Sequence, residues 1–137
     1  MKLAHVSETF AVSPQLKPSD MRGLADAGFK GVICNRPDGE EPNQPTVASL
    51  QDAAEATGLD FHHIPVSGGE FPPVAIKAFA KIRGEADGKV LAFCRTGTRS
   101  ITLDALANIE NETADERIKR AERAGYDLSG LRDRLGE

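Results

Sequence analysis

The sequence of 137 residues contains no tryptophan, one tyrosine and two cysteines. Cys34 and Cys94 are too few for a disulfide scaffold or a cysteine-only zinc site, so a reduced, cytoplasmic setting is expected. No run approaches the roughly 18 consecutive apolar residues of a membrane-spanning helix, and the N-terminus lacks the apolar core of a signal peptide. No Gly-x-Gly-x-x-Gly motif follows a predicted strand, which argues against a dinucleotide site. The three histidines show no metal-ligand spacing, and neither a cofactor nor a metal is predicted.

Basic residues are fewer than acidic ones. Against 21 Asp and Glu there are 17 Lys and Arg, which gives a net charge of −4. No basic face or basic amphipathic stretch stands out, so neither a nucleic acid nor a membrane is expected as a partner. The composition, 39% hydrophobic and 28% charged, is typical of a globular protein, and the length predicts a single domain over residues 1–137.

Short apolar runs alternate with amphipathic segments along the chain. The predicted strands are residues 9–12, 31–34, 60–66 and 89–93. The predicted helices are residues 19–28, 46–57, 73–83, a helix from 100 onward, 113–125, and a short last helix through Leu128, Leu131 and Leu135. Such alternation predicts an α/β fold, with a parallel sheet of four to five strands flanked by helices on both faces. Ligands of these sheets bind beyond the carboxyl ends of the strands, where Cys94 is expected.

Residue types at the helix ends support these boundaries. Ser19 and Thr46 are good N-caps, and Gly28 stands where a left-handed C-terminal residue belongs. Thr113 followed by Glu116 predicts a capping box.

The segment Cys-Arg-Thr-Gly-Thr-Arg-Ser, residues 94–100, carries the main functional signal. A loop leading from a buried strand into a helix turns successive N–H groups inward, and the helix N-terminus adds positive potential for an anion. Arg99 is expected to return to the loop as a bidentate clamp, and Ser100 to donate a hydrogen bond to the sulfur. These surroundings favour the thiolate of Cys94, the form that acts as a nucleophile. The predicted substrate-binding residues are Arg95, Thr96, Gly97 and Thr98.

The alternative for Cys94 is a structural role, because free cysteine is often buried as a small hydrophobe. The surrounding motif favours the nucleophile.

The chain resembles the phosphatase-like domain family of the β-lactamase hydrolase-like proteins, which is similar in fold to cysteine-dependent tyrosine and dual-specificity phosphatases. The resemblance covers nearly the whole chain. It rests on Ala-Val-Ser-Pro-Gln at 11–15, Ala-Gly-Phe-Lys-Gly-Val-Ile at 27–33, Arg-Pro-Asp-Gly-Glu at 36–40, Ile-Pro-Val at 64–66, and the Cys94 loop. It implies a tyrosine-phosphatase-like fold and a cysteine-dependent activity at Cys94.

The length of the loop bears on the reaction. Tyrosine-type phosphatases place five residues between the nucleophilic cysteine and its arginine, whereas this chain has four, Arg95 to Thr98. A shorter loop offers fewer inward N–H groups and a narrower bowl for phosphate. Cys-Arg-x-Gly-x-Arg is similar to the six-residue active loop of single-domain rhodaneses, which carry a persulfide. Family members fused to persulfide-oxidising domains point the same way.

A phosphatase also needs a general acid for the leaving alkoxide, normally an Asp on a neighbouring loop. The corresponding loop, residues 67–71, contains no Asp. Glu70 is the candidate substitute, and the alternative is that it is an exposed turn residue. Sulfur transfer needs no such acid, so a sulfurtransferase is ranked above a phosphatase.

Three functions are therefore kept, in this order. The sulfurtransferase would carry sulfane sulfur as a Cys94 persulfide, from a small-molecule donor such as thiosulfate or a persulfide to a thiol acceptor such as glutathione. The phosphatase would hydrolyse a phosphate monoester through a phosphocysteine. A non-catalytic module would bind a persulfide or a phosphorylated partner.

Residues outside the loop allow two interpretations each. Cys34 is either a packing residue or a redox partner of Cys94, as in some phosphatases of similar fold. Arg36 either adds positive potential near the site or forms a buried ion pair with Glu40, which is favoured. For Asp104, in the helix after the loop, a cap or surface role is expected.

Overall fold

Five strands form one sheet in the computed structural model, which describes residues 1–136. They are β1 (Ala4–His5), β2 (Phe10–Ser13), β3 (Phe29–Cys34), β4 (Asp60–His63) and β5 (Lys89–Phe93). Their order is β1-β2-β5-β3-β4. β1 is antiparallel to β2, and the other neighbours are parallel. The predicted α/β class and tyrosine-phosphatase-like fold are confirmed, with the short edge strand β1 as an addition.

The helices cover both faces of the sheet. They are α1 (Met21–Asp26), α2 (Val47–Ala56), α3 (Pro73–Glu85), α4 (Thr98–Ala107) and α5 (Ala114–Arg123), with 3₁₀ turns at Pro18–Asp20 and Ser129–Leu131. Successive strand residues point to opposite faces. In β5, Val90 and Ala92 pack in one apolar cluster with residues of α3, α4 and α5, whereas Leu91 and Phe93 pack with residues of α1 and α2. Within residues 1–136, no helix is long and apolar enough to cross a membrane.

Two of the three predicted N-caps are confirmed. The Thr46 side chain accepts the Ser49 N–H at 3.1 Å, and Thr113 with Glu116 forms the capping box of α5. Ser19 is not a cap. It lies inside a 3₁₀ turn, because Pro18 starts that turn one residue earlier.

Two segments are shorter than predicted. β4 ends at His63 because Pro65 has no N–H to continue the ladder, although Ile64 and Val66 still donate to the backbone at the end of β3 and just beyond it. The expected last helix is reduced to the turn Ser129–Leu131, since a segment this short gains too few hydrogen bonds to offset helix nucleation.

The predicted role of Asp104 is wrong. The expected cap or surface residue is buried at 2% exposure and forms an ion pair with the buried Arg83. Arg120 approaches its other oxygen at 3.5 Å. The Arg83 guanidinium also lies 4.2 Å from the centre of the Phe10 ring. Asp104 therefore joins α3, α4 and α5 under the sheet, away from the exposed surface.

Candidate active site

Cys94 lies directly after β5, at the carboxyl edge of the sheet where it was expected. Its side chain is buried, with the residue 1% exposed. The Gly97 N–H donates to the Cys94 sulfur at 3.1 Å. Two backbone hydrogen bonds fix the strand end and the loop to their neighbours, from Asn35 N to Phe93 O at 2.8 Å and from Gln15 N to Arg95 O at 3.2 Å. The sulfur thus accepts a hydrogen bond inside a loop that is itself held in place.

Gly97 makes the tight curl of this loop feasible. Its φ of 99° is in the left-handed region, which glycine occupies without steric penalty. It is also the N-cap of α4, which begins at Thr98. α4 therefore begins four residues after Cys94, with the N–H of its N-cap Gly97 on the sulfur and that of Thr98 on Thr96 Oγ1 at 3.4 Å.

Arg99 does return toward the loop, but a carboxylate holds it. Its two terminal nitrogens each lie 2.9 Å from an oxygen of Glu40, and Nη1 also donates to Val66 O at 2.9 Å. The hydrogen bonds that Arg99 donates to Glu40 raise the pKa of Arg99, and a Cys94 thiolate raises it further. Reciprocally, Arg99 and then Arg36 lower the pKa of Glu40. Glu40 is therefore a carboxylate at neutral pH and cannot serve as a general acid.

Arg36 forms the buried ion pair that the sequence favoured. It is 1% exposed and donates from Nε to Glu40 at 2.7 Å. Its terminal nitrogens reach Glu41 at 2.6 Å and Gln15 at 2.9 Å. Arg36 and Arg99 consequently share Glu40, which links the loop after β3 to the start of α4.

These side chains line an open depression of about 560 Å³ at the mouth of the site. The residues around it are Arg36, Glu40, Glu41, Arg95 and Arg99. Arg95 forms the rim, because its side chain is 64% exposed and lies 3.7 Å from Glu41. The depression is thus lined by three cations and two carboxylates, and of the three cations Arg99 is the one that interacts with Cys94.

Ser100 does not make the expected contact with the sulfur. Its hydroxyl donates to Asn35 Oδ1 at 2.8 Å, and Asn35 Nδ2 donates to Ile64 O at 2.9 Å. A hydroxyl has a single proton to donate, and this chain of buried hydrogen bonds uses it. Ser100 therefore ties α4 to the residues that follow β3 and β4.

Cys34 ends the strand next to β5, paired in register with Phe93. It is a buried free thiol, and its sulfur donates to Arg36 O at 3.4 Å. Burial raises the pKa of this thiol to about 11. Cys34 is thus a neutral neighbour of Cys94.

Glu70 lies on an exposed turn. Its N–H donates to Ser67 O at 3.2 Å. Among residues 1–136, its carboxylate takes part in none of the side-chain hydrogen bonds or ion pairs. With Gly69, Phe71, Pro72 and Arg134 it lines an open surface depression that does not include Cys94.

The loop threonines Thr96 and Thr98 bond to each other, with the two hydroxyls 3.1 Å apart. A partner that the sequence did not suggest is Tyr126, whose hydroxyl donates to Thr96 O at 2.8 Å. A lone tyrosine, 30 residues beyond Thr96, carries no sequence signal that would have identified it.

The chain is similar to known proteins in sequence and in fold. Residues 2–111 match the family described as "Beta-lactamase hydrolase-like protein, phosphatase-like domain". A Beta-lactamase hydrolase-like protein of Agrobacterium fabrum is 40% identical over 122 residues, which are 89% of this chain and 27% of that protein. A Xylella fastidiosa protein of the same name is 38% identical over the same shares. The chain thus spans about a quarter of the length of these curated relatives.

Solved structures are similar over nearly the whole chain. A phosphatase candidate from Neisseria meningitidis is 38% identical, with a TM-score of 0.87 over 99% of this chain and 97% of that one. The catalytic core of the PP-IP phosphatase Siw14 from Saccharomyces cerevisiae, in complex with citrate, has a TM-score of 0.71 at 16% identity, over 97% and 82% of the two chains. The likeness to Siw14 shows the fold alone.

Proposed function

Because the chain belongs to the phosphatase-like domain family of the β-lactamase hydrolase-like proteins, we propose that it hydrolyses phosphate monoesters through Cys94. One observation carries the proposal. The buried sulfur accepts the Gly97 N–H at 3.1 Å, at the point where α4 begins and Arg99 turns back. A thiolate nucleophile beside helix N-terminal N–H groups suits an electrophile that carries several anionic oxygens.

This proposal reverses the order in which phosphatase and sulfurtransferase were ranked from the sequence. The sequence ranked sulfur transfer first, because the loop is short and the neighbouring loop lacks an Asp. The matching family is described as phosphatase-like and the Neisseria protein as a phosphatase candidate, and neither is described as a sulfurtransferase. Phosphatase is therefore the first proposal and sulfurtransferase the second.

Substrate binding would rearrange the ion pairs at the mouth. A phosphoryl group over Cys94 would accept hydrogen bonds from the N–H groups at the start of α4 and from Arg99. Arg99 would exchange Glu40 for the phosphate, a bidentate partner of the same geometry. Glu40 would keep its bond to Arg36, so that it stays paired in both states.

The reaction would proceed in two displacements. In the first, the Cys94 thiolate attacks phosphorus, an S–P bond forms, and the ester P–O bond breaks to release the alcohol as its oxyanion, which takes a proton from water. In the second, water attacks phosphorus and loses a proton, the S–P bond breaks, and inorganic phosphate and the thiolate are released. Glu40 is ionised and Glu70 lies on an exposed turn. We therefore expect aryl phosphates, whose leaving groups need little protonation, to react faster than alkyl phosphates.

Sulfur transfer is kept because specific observations favour it. Four residues separate Cys94 from Arg99, and residues 67–71 contain no Asp. In addition, Glu40 already neutralises much of the charge that a phosphate dianion would require. The Cys94 thiolate would attack the outer sulfur of thiosulfate, forming an S–S bond and releasing sulfite. A thiol acceptor would then take that sulfur and regenerate the Cys94 thiolate.

Mass spectrometry of the intact protein separates the two reactions. The protein is incubated either with thiosulfate or with an aryl phosphate and quenched at low pH. Phosphatase chemistry predicts turnover of the aryl phosphate, with a trapped adduct of about 80 Da on Cys94. Sulfur transfer predicts an adduct of about 32 Da after thiosulfate and no phosphate release.

Cys34→Ala is the matched control, since it removes the other thiol and leaves the loop intact. An adduct that persists in Cys94→Ser and disappears in Cys34→Ala would contradict both reactions at Cys94.

A further inference from the structure

Tyr126, the one tyrosine of the chain, lies just after α5. Gly125, with a φ of 98°, turns the backbone at this helix end, and Tyr126 N donates to Ala121 O at 2.9 Å. The ring packs against the apolar cluster formed with α3, α4 and α5. Tyr126 lies beyond the residues 2–111 that match the family.

The Tyr126 hydroxyl binds one end of a peptide group whose other end binds the nucleophile. It donates to Thr96 O at 2.8 Å, and the Gly97 N–H of the same peptide donates to the Cys94 sulfur at 3.1 Å. The peptide unit is planar, with its C=O and N–H pointing in opposite directions. Holding the oxygen on one side therefore sets the direction of the N–H on the other.

The same ring occupies the space beside Gly97. A Cβ at Gly97 would collide with the Tyr126 hydroxyl and would lie 2.9 Å from its Cζ. Because Gly97 has no side chain, the Tyr126 hydroxyl can reach the Thr96–Gly97 peptide. The φ of Gly97, 99°, sets the direction in which the backbone turns there. The Tyr126 ring therefore packs directly against Gly97.

We infer that Tyr126 is a positioning residue for Cys94, whose hydroxyl clamps the Thr96–Gly97 peptide so that its N–H is aimed at the sulfur. A hydrogen bond to a carbonyl also polarises the peptide and strengthens donation from its N–H. Because that N–H stabilises the thiolate, the clamp makes the nucleophile more available. The inference rests on Cys94 being the nucleophile, as proposed above, whichever electrophile it attacks.

Among residues 1–136, titratable groups on three different elements interact electrostatically with Cys94. Arg99 lies on α4, Cys34 on β3 and Tyr126 on the segment after α5. Arg99 and Cys34 remain in place when only the Tyr126 hydroxyl is removed. A change in the pH dependence of Cys94 then reports on the clamp.

The test compares the chain with its Tyr126→Phe variant, both in the Cys34→Ala background so that Cys94 is the only thiol. The rate of alkylation by iodoacetamide is followed against pH. Loss of one neutral hydrogen bond through the peptide is expected to move the half-maximal rate to higher pH by about 0.5 unit, with about a threefold lower rate at pH 7. The amide proton resonance of Gly97 should move upfield as its hydrogen bond weakens.

Thr57→Val is the matched control. It also removes a hydroxyl that donates to a backbone carbonyl, that of Ala54 at 2.9 Å, at the end of α2. Its alkylation profile should coincide with that of the parent.

An unchanged pH profile and Gly97 resonance in Tyr126→Phe would overturn the inference, as would an equal shift in Thr57→Val. The Gly97 resonance belongs to the folded state and keeps the test decisive even where the variant is less stable. If Cys94→Ser retained turnover, the proposed function would fail, whereas the alkylation result would still decide whether Tyr126 aims the Gly97 N–H at the Cys94 sulfur.

Discussion

Cys34 and Cys94 form a comparison within one molecule. Cys34 ends β3 and Cys94 follows the neighbouring parallel strand β5; both are free thiols, and both are buried, at 2% and 1% exposure. The direction of their hydrogen bonds separates them. Cys34 donates to a carbonyl, that of Arg36, whereas Cys94 accepts the Gly97 N–H. A donor to the sulfur stabilises a thiolate, and an acceptor facing it stabilises a thiol.

The difference arises from the course of the backbone beyond each strand. After β5 the chain turns at Gly97 directly into α4, so that the Gly97 N–H points at the sulfur. After β3 the chain enters the long stretch from Asn35 to Thr46, and the Cys34 sulfur meets the carbonyl of Arg36. Burial alone therefore does not distinguish the two thiols, whereas the local direction of the backbone does.

The largest expected effect is on turnover. Cys94→Ser should lower kcat/KM for the best substrate by at least about 10³-fold, because it removes the attacking atom. Cys34→Ala should change it by less than about threefold, since its sulfur faces a carbonyl. Steady-state kinetics of both variants check the comparison. A non-catalytic binding module would instead show no turnover in the parent and intact binding in Cys94→Ser.

A smaller effect is expected on thiol reactivity. Burial raises the pKa of Cys34 to about 11, so below that pH it is a neutral thiol and alkylates slowly. At pH 7 we expect iodoacetamide to modify Cys94 at least about 100-fold faster, and the rate at Cys34 to rise only as the pH approaches 11. Peptide mapping after timed quenching measures both rates. Similar alkylation rates of Cys34 and Cys94 at pH 7 would contradict the proposed difference between the two thiols.

Cys34 and Cys94 are also expected to differ in their oxidation. A neutral thiol attacks an oxidised cysteine slowly, so we expect mild peroxide to oxidise Cys94 while Cys34 stays alkylatable. Reversible inactivation with loss of both thiols would instead establish the Cys34–Cys94 disulfide that some phosphatases of similar fold suggest.

Local signals predicted much of the fold. Alternating apolar runs placed β2, β3 and β5, and the residues at Thr46 and Thr113 placed the starts of α2 and α5. Each depends on residues within a few positions of one another. The two-residue β1 was missed because so short a strand has no periodicity of its own.

Contacts between distant segments were not predictable in the same way. Arg99 and Glu40 are 59 residues apart, and the bond between them depends on how α4 packs beside the loop after β3. Asp104 was misassigned because its partner Arg83 comes from another helix, and a carboxylate in an amphipathic segment is ordinarily exposed. Tyr126 reaches the loop only because α5 packs back on the sheet.

The smallest expected effect on turnover is that of replacing Ser100. Its hydroxyl donates to Asn35 rather than to the sulfur, so Ser100→Ala should lower kcat/KM by less than about threefold. It should cost about 1–2 kcal/mol of stability, because a buried acceptor on Asn35 loses its donor. Kinetics and urea unfolding measure the two quantities separately. Thr102→Val, which removes a buried hydroxyl two positions further along α4, is the control for turnover. A loss above about 30-fold, together with a shifted pH profile of Cys94 alkylation, would instead make Ser100 a hydrogen-bond donor to the Cys94 sulfur.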